Sequence, residues 1–443
     1  NCDESTKIRW EAVPYFHGRV LDVGCGKFKT FPHWIGVDNG SVWGKHNADA
    51  PIEDAACLDL FAGQSCDGVF SSHLLEHFPY EMVPKVLSDW CRVLKPGGHL
   101  MLYVPDENEY PKVGEKGANP DHKWDCSYNK VVSAMEQVQR GWDLVDYQER
   151  NQDDEYSLWF VFKMTQGTGR REFSWKNPKP SKTCAVVRYG AFGDCIQASS
   201  ILPGLKEQGF HITLYCSDHG YPVIKNDPHV DRFIIQGRNE VPSQFLGEFW
   251  DYTKKNYDKW VNLSESVECT LLASPDRVNH GWPNEVRAKY MDRNYIEFTH
   301  EIAGVPPPYR PKFYSTLEER AWARKQAQRF GRKNILWSLS GSSVHKTWPH
   351  LDAVIARIML SYRDVHVVLV GDEVSQILEG GWEKEPRVHC RSGKWSMRES
   401  MAFCEVADLV IGCETGLLNA AGSMDTPKIV TLSHSSEEML TKH

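Results

Sequence analysis

The sequence contains no C-x-x-C pair, although it has 13 cysteines. They are scattered and odd in number, which suits reduced, buried thiols and argues against a disulfide framework or a cysteine-based zinc site. No run of about 18 or more apolar residues occurs, so no membrane span is read. Positive charge is not in excess. The formal net charge of −8 argues against a broad nucleic-acid surface, although a local basic groove could still exist within it. No segment reads as a signal peptide, although the chain starts at Asn1 without a Met. A cytoplasmic setting is therefore the expectation. Repeats at solenoid periods are also absent.

What remains is a long globular chain. At 443 residues it exceeds what one core can hold, and two or three domains are expected. Apolar, β-rich runs alternate with helical patterns nearly throughout. RVLDVGC, HWIGVD, CDGVFSSH and HLMLYVP form a first series of buried strands. TCAVVRYG, HITLYCS, RFIIQG, KWVNLS, NILWSLS, VHVVLVG, DLVIGC and PKIVTL form a second. Strands alternating with helices predict an α/β fold with parallel sheets covered on both faces. Between the series, TQGTGRREFSWKNPKPSK is rich in Gly, Lys, Arg and Pro and reads as a linker. A second break falls at VPPPYRP, and the helical pattern LEERAWARKQAQRF follows it.

VLDVGCGK places a buried strand directly before Gly24, Cys25 and Gly26, a turn that lets backbone approach a ligand closely. Asp38 ends the next strand, where a carboxylate would hold a ribose diol. Together with LDVGCGK, the segments GVD, CDGVFSSHLLEHF and RVLKPGGHLMLYVP make residues 8–165 resemble the class I S-adenosylmethionine-dependent methyltransferases. The resemblance implies that Asp22 and the Gly24–Gly26 backbone face the methionine part of S-adenosylmethionine and that Asp38 holds its ribose. Asp54 or Leu58 would lie near the adenine.

HLLEH (73–77) also matches an inverted zinc-protease signature, H-x-x-E-H. No third ligand is placed by sequence, and no metal is assigned. His73 and Glu76 are read as bordering the methyl-donor pocket, or as capping and packing a short helix. After HLMLYVP comes the long polar loop 105–125, in the position where open α/β sheets bind substrates. Asp106, Asp121, His122 and Asp125 are its candidate acceptor groups. His122 is the candidate base, on an ordinary imidazole pKa of about 6.5.

The second half carries three strand–turn–helix junctions: RYGAFGDCIQASSILPGLK with Asp194, LSGSSVHKTWP with Ser342 and Lys346, and IGCETGLLNAAG with Glu414, Thr415 and Gly416. Small residues let backbone N–H groups face an anion, and Lys adds a point charge. The P-loop pattern is absent, and so is a D-x-D motif. With VLVGDE and PKIVTL added, residues 183–443 resemble the heptosyltransferase-like glycosyltransferases of family 9. Those enzymes have two Rossmann-like lobes in the GT-B arrangement.

This resemblance implies that Asp194 deprotonates the acceptor hydroxyl and that Ser342 and Lys346 contact the donor diphosphate. Asp372 or Glu373 would meet the donor ribose, and Thr415, Gly416 and Leu417 would supply backbone amides. The sequence departs from the family at Glu414 and Asn419, where Asp and His are usual. The family also continues past PKIVTL, commonly with a helix packed back on the first lobe. This chain stops at His443, so either a truncation or a minimal lobe is expected. Ser264, Glu265 and Glu268 either line an acceptor cleft or form a capping box.

The expected organisation is a methyltransferase domain at 1–165, a linker at 166–182, an acceptor lobe at 183–315 and a donor lobe at 316–443. The expected function is bifunctional. One domain transfers methyl groups from S-adenosylmethionine. The other performs metal-independent, inverting transfer from a nucleotide sugar, ADP-heptose-like in the specific case, to a glycan or other saccharide acceptor. Two alternatives stand beside it: modification of nucleic-acid bases by the same two activities, kept open by the basic stretch Lys163–Lys182, and a non-catalytic binding or structural protein with relic pockets. Oligomeric state is not legible.

Overall fold

The structure, a computed structural model, describes residues 4–39, 48–52, 54–167, 170–171, 182–237, 240–265, 282–283, 285–286, 289, 293–433 and 436–443. Most of the expected linker lies outside them. The chain divides into two compact units: Asn1–Lys179 with Gln236–Thr253, and Pro180–Ile235 with Lys254–His443.

The first unit is built on strands β1 (Val20–Val23), β2 (Ile35–Asp38), β3 (Ala50–Pro51), β4 (Cys66–Ser72), β5 (Leu94–Pro105), β6 (Trp142–Arg150), β7 (Ser157–Met164) and β8 (Arg170–Arg171). Their order is β3-β2-β1-β4-β5-β7-β6-β8. β1 pairs in parallel with both β2 and β4, so the strand order reverses between β1 and β4. The carboxyl ends at such a reversal are where open α/β sheets generally bind ligands. The sheets are largely parallel, as expected, with an antiparallel edge in the first unit. β7 runs antiparallel to β5 and to β6. β6 and β7 are joined by a short connection, and only an antiparallel pair can be closed that way. SLWFVFKM is nearly continuously buried, so it shows none of the alternation that marks a half-buried strand.

Helix Val83–Val93 covers one face, and its Trp90 is fully buried with Nε1 donating to the Ala55 carbonyl at 2.8 Å. Helix Glu4–Ala12 carries Trp10, which packs on Phe31, Phe245 and Phe249 with ring centroids 5.6, 6.4 and 5.8 Å away. The last two rings come from Gln236–Thr253, a segment that the sequence reading placed in the acceptor lobe. Arg9–Glu248 at 2.8 Å and Tyr252 Oη on Glu11 Oε1 at 2.7 Å add polar links.

The second unit has two sheets. β9 (Thr183–Arg188), β10 (His211–Ser217), β11 (Arg232–Gln236) and β12 (Lys259–Asn262) lie in the order β11-β10-β9-β12. β13 (Lys333–Ser338), β14 (Val365–Val370), β15 (Val388–Cys390), β16 (Leu409–Cys413) and β17 (Lys428–Thr431) lie in the order β15-β14-β13-β16-β17, all parallel. Their central strands are buried on both faces, which explains the unbroken β-branched runs. Helix Leu317–Phe330 links the two lobes and starts at a capping box, with the Thr316 side chain on the Glu319 amide and the Glu319 side chain on the Thr316 amide. One apolar cluster reaches from Val186 and Leu205 of the first lobe to Phe403 and Leu418 of the second. At the end of the chain, the short helix Glu437–Leu440 does pack back on the first lobe. The Asn294 amide donates to the Glu438 carbonyl at 2.9 Å, and Lys442 and His443 both reach Glu297.

Candidate functional site

In the first unit, β1 runs straight into the glycine turn. Gly24 has φ +78°, and a Cβ there would lie 2.8 Å from Leu74 Cδ2, so only glycine fits. The Gly24 amide donates to the Val37 carbonyl at 2.8 Å, and the Gly26 amide donates to Asp38 Oδ2 at 3.1 Å. The turn and the acidic end of β2 thus meet. Asp22 is buried, and its carboxylate accepts from the Thr30 amide at 2.6 Å, which closes the loop that carries the glycines. Burial, reinforced by Asp22, Asp38 and Asp49, pushes the Cys25 thiol up to about 12, so Cys25 is a packing residue at neutral pH.

The two candidates for the adenine side differ. Asp54 is exposed and caps the Ala56 amide at 2.8 Å. Leu58 is fully buried in the core, with its amide on Asp89, and offers no surface to a base, contrary to expectation.

The HLLEH segment does not form the helix that its signature requires. His73 sits at φ +49°, and a 3₁₀ turn, Leu75–His77, follows. His73 and His77 are therefore not stacked on one helix face. His73 Nε2 bonds Ser157 Oγ at 3.0 Å, and its ring packs edge-on against Tyr103 and Tyr156. Glu76 is fully buried, and neither carboxylate oxygen has a hydrogen-bond partner among the described residues. Burial raises its carboxyl to about 8.

His122 comes in from the long loop, with Nε2 3.5 Å from Glu76 Oε1 and its ring 5.1 Å from that of His77. Burial, with the neighbouring His77 next, lowers His122 to about 4. This corrects the expectation of a base with an ordinary pKa. The imidazole is neutral at pH 7 but weakly basic, which makes it a nitrogen donor before a proton acceptor. The other loop candidates hold the loop's own turns. Asp106 accepts from the amide and side chain of Asn108, and Asp125 from the Val113 amide, while Asp121 is exposed with its amide on Asn119 Oδ1. The sequence flagged HLLEH and His122 separately. Only the folded loop shows that they meet.

In the second unit, β9 ends in the turn before helix Phe192–Ala198. Asp194 reaches back to the Ala191 amide at 2.7 Å and pairs with buried Arg188 at 3.1 Å. Sequence reading missed Arg188, which stands at the strand end in RYGAFGD. Ser264 is buried and accepts from the Tyr189 amide at 3.1 Å, so it braces the same turn instead of lining a cleft. Glu268 and the Glu265 side chain lie outside the described residues.

The turn at the end of β16 lies directly opposite. A Cβ on Gly416 would meet Phe192 Cβ at 2.7 Å and the Gly193 nitrogen at 3.1 Å. Asn419, one of the two family departures, bridges the lobes: its Oδ1 accepts from Gln197 at 3.0 Å and its Nδ2 donates to the Thr415 carbonyl at 2.9 Å. Thr415 is the N-cap of helix Gly416–Gly422, without a side-chain capping bond, and Leu417 is buried behind it. Lys346 Nζ donates to the Glu414 carbonyl at 3.1 Å, which brings the second and third junctions together. The Glu414 carboxylate instead holds Ser433 through its hydroxyl and amide. Burial would raise its pKa, but the bonds from Ser433 and the nearby Lys346 charge bring it below the usual value. Ser342 is exposed beside this group. Asp372 is tied to Ser375 by two bonds of 2.9 and 2.7 Å, and Glu373 is exposed next to it.

A family model for methyltransferase domains matches residues 21–102. A model for glycosyltransferase family 9 (heptosyltransferase) matches residues 252–442. A lipopolysaccharide heptosyltransferase 1 from Campylobacter coli is 19% identical over 290 residues, covering 55% of this chain and 82% of that protein. Among solved structures, a family 9 glycosyl transferase from Veillonella parvula aligns over 58% of this chain and 83% of its own, with 16% identity and a TM-score of 0.46. A SAM-dependent methyltransferase from Archaeoglobus fulgidus aligns over 36% and 92%, with 20% identity and a TM-score of 0.29. The chain is a transferase that joins a methyltransferase domain to a family 9, heptosyltransferase-like glycosyltransferase domain.

Proposed function

We propose that one polypeptide carries out two transfers on a saccharide: methyl transfer from S-adenosylmethionine, and inverting glycosyl transfer from a nucleotide sugar, with an ADP-heptose-like donor as the specific case. In the first reaction an acceptor atom attacks the sulfonium methyl and the S–CH₃ bond breaks. The Gly24–Gly26 backbone would face the methionine part and Asp38 the ribose. In the second, Asp194 takes the acceptor proton, the oxygen attacks the anomeric carbon, and the diphosphate leaves with the bonding pair. Lys346 and the amides of Thr415–Leu417 would offset the growing negative charge without a metal ion, in keeping with the missing D-x-D motif. Ser342 would touch the diphosphate, and Asp372 or Glu373 the ribose.

The observation that carries this reading is the meeting of the Asp194 turn with the Gly416 turn and Lys346. It brings together, from opposite lobes of one unit, a carboxylate and the lysine and helix start that would cradle a diphosphate. The Campylobacter relative, a lipopolysaccharide heptosyltransferase, favours a surface-glycan acceptor.

Isothermal titration of the full chain with S-adenosylmethionine and with a panel of nucleotide sugars tests the proposal, and one donor of each class is expected to bind. Asp194→Asn should abolish sugar transfer and leave methyl transfer intact. Binding of neither donor class, or loss of both activities in Asp194→Asn, would reject the assignment.

A further inference from the structure

We propose that Glu76, His77 and His122 form a binding site for one divalent transition-metal ion of the zinc class, beside the methyl-donor turn. The three residues each offer a ligand atom, and these atoms lie within 4.8 Å of one another. Glu76 Oε1 and His122 Nε2 are 3.5 Å apart. Zinc bonds of about 2.0–2.1 Å in a tetrahedral shell put neighbouring ligand atoms ~3.3–3.4 Å apart, so the pair is already spaced to share an ion.

The second observation is the carboxylate itself. Glu76 is fully buried, and neither oxygen makes a hydrogen bond among the described residues. Its Oε1 lies 3.5 Å from His122 Nε2 and 3.6 Å from His73 Nδ1. A buried carboxylate ordinarily takes amide donors or a cation. This one faces His122 instead, and a cation held by Glu76, His77 and His122 would satisfy all three groups. Two imidazoles and one carboxylate, with no thiolate, suit Zn²⁺ and its borderline neighbours over Ca²⁺ or Cu⁺. His73 is not in the cluster. Its Nε2 is on Ser157 Oγ, and its Nδ1 lies 3.6 Å from the same Glu76 oxygen.

The arrangement is not the one that the H-x-x-E-H pattern suggests, because His73 is replaced as a ligand by His122 from the long loop. Three protein ligands leave room for an exogenous oxygen. Leu74, in the same turn, packs against Gly24, so that open position would be close to the methyl-donor turn. Its use in catalysis rests on the proposed methyl transfer, whereas metal binding itself does not.

The test is metal binding by the full chain, read without any activity. After chelation and desalting, Zn²⁺ is added, and retained metal is counted by plasma mass spectrometry. One equivalent is expected for the unmodified chain. Glu76→Gln and His122→Asn should each weaken binding at least about 100-fold, the upper range seen when a metal site loses supporting groups. His366→Asn disrupts a separate histidine pair (His366 Nδ1 to His389 Nε2, 3.1 Å) and should retain the metal. In the unmodified chain, Co²⁺ should give the visible absorption of a four-coordinate nitrogen–oxygen site, and Zn²⁺ should displace it. A chain that desalts metal-free and shows no Co²⁺ bands, or a Glu76→Gln protein that still holds one equivalent with unchanged affinity, overturns the proposal.

Discussion

Arg398 offers a sharp test of how the second unit is held together. Its Nε and Nη2 bind the two oxygens of Glu319 at 2.6 and 2.7 Å. Its Nη1 donates to the Pro222 carbonyl at 2.9 Å, its Nη2 also to the Tyr314 carbonyl at 2.8 Å, and the guanidinium lies 4.7 Å from the Phe313 ring centroid. One side chain therefore ties helix Met397–Cys404 to the linking helix and to Pro222 of the other lobe. The Arg398 side chain is 8% exposed and that of Glu319 is 19% exposed.

Removing one partner of a buried pair costs about 3–5 kcal/mol. Because Glu319 keeps some contact with water, about 3 kcal/mol is expected for Arg398→Met. That corresponds to a fall of about 6–12 °C in the melting transition of this unit, measured by scanning calorimetry. Arg398→Lys should recover only part of the loss, since an ammonium cannot make the two-pronged bond. The pH dependence supplies a second reading. Burial alone would raise Glu319, but the bonds from Arg398 and the Thr316 amide hold it below the ordinary value. The stability contributed by this group is therefore present above its unfolded pKa and is lost as pH falls through the lower folded one. In Arg398→Met the acid-side loss should be smaller than in the unmodified chain. A cost below about 1 kcal/mol, together with an unchanged pH profile, would refute the reasoning and put the pair in the class of exposed ion pairs.

Gly24→Ala combines a left-handed backbone with a clash against Leu74. It should cost about 1–3 kcal/mol and weaken S-adenosylmethionine binding, measured by melting and titration calorimetry. Gly416→Ala forces the Phe192 turn away from the Gly416 turn. Sugar transfer should fall at least about tenfold while methyl transfer is unchanged, on the principle that small displacements of reacting groups are costly. Trp10→Ala leaves a cavity between Phe31, Phe245 and Phe249, and should lower the stability of the first unit by about 3–5 kcal/mol in urea unfolding.

Much of the fold was legible because its strands are central and buried on both faces. VLDV, TCAVVR and VHVVLV read as strands without any partner in view. The glycine turn with Asp38, the Asp194 turn and the Thr415–Leu417 turn were legible for the same reason: each directly follows such a strand, and glycine is required where backbone turns left-handed or packs closely. The β6–β7 hairpin was not legible: WDLVDYQER mixes charged and apolar residues, and nothing local to SLWFVFKM marks that it pairs antiparallel with β5 and β6.

The sequence by itself determined the two α/β halves, the ends of their central strands and the residue types gathered there, since periodicity and turn chemistry are local. Tertiary structure alone decided which distant pieces meet. It attached Gln236–Thr253 to the first unit through Trp10. It used Arg188 to pair with Asp194 and Asn419 to bridge the lobes. It buried Leu58 and lowered the pKa of His122. It also left Glu76 without a hydrogen bond among the described residues, facing a histidine from a remote loop. Burial and long-range contact set each of these, and neither is encoded in the spacing of residues along the chain.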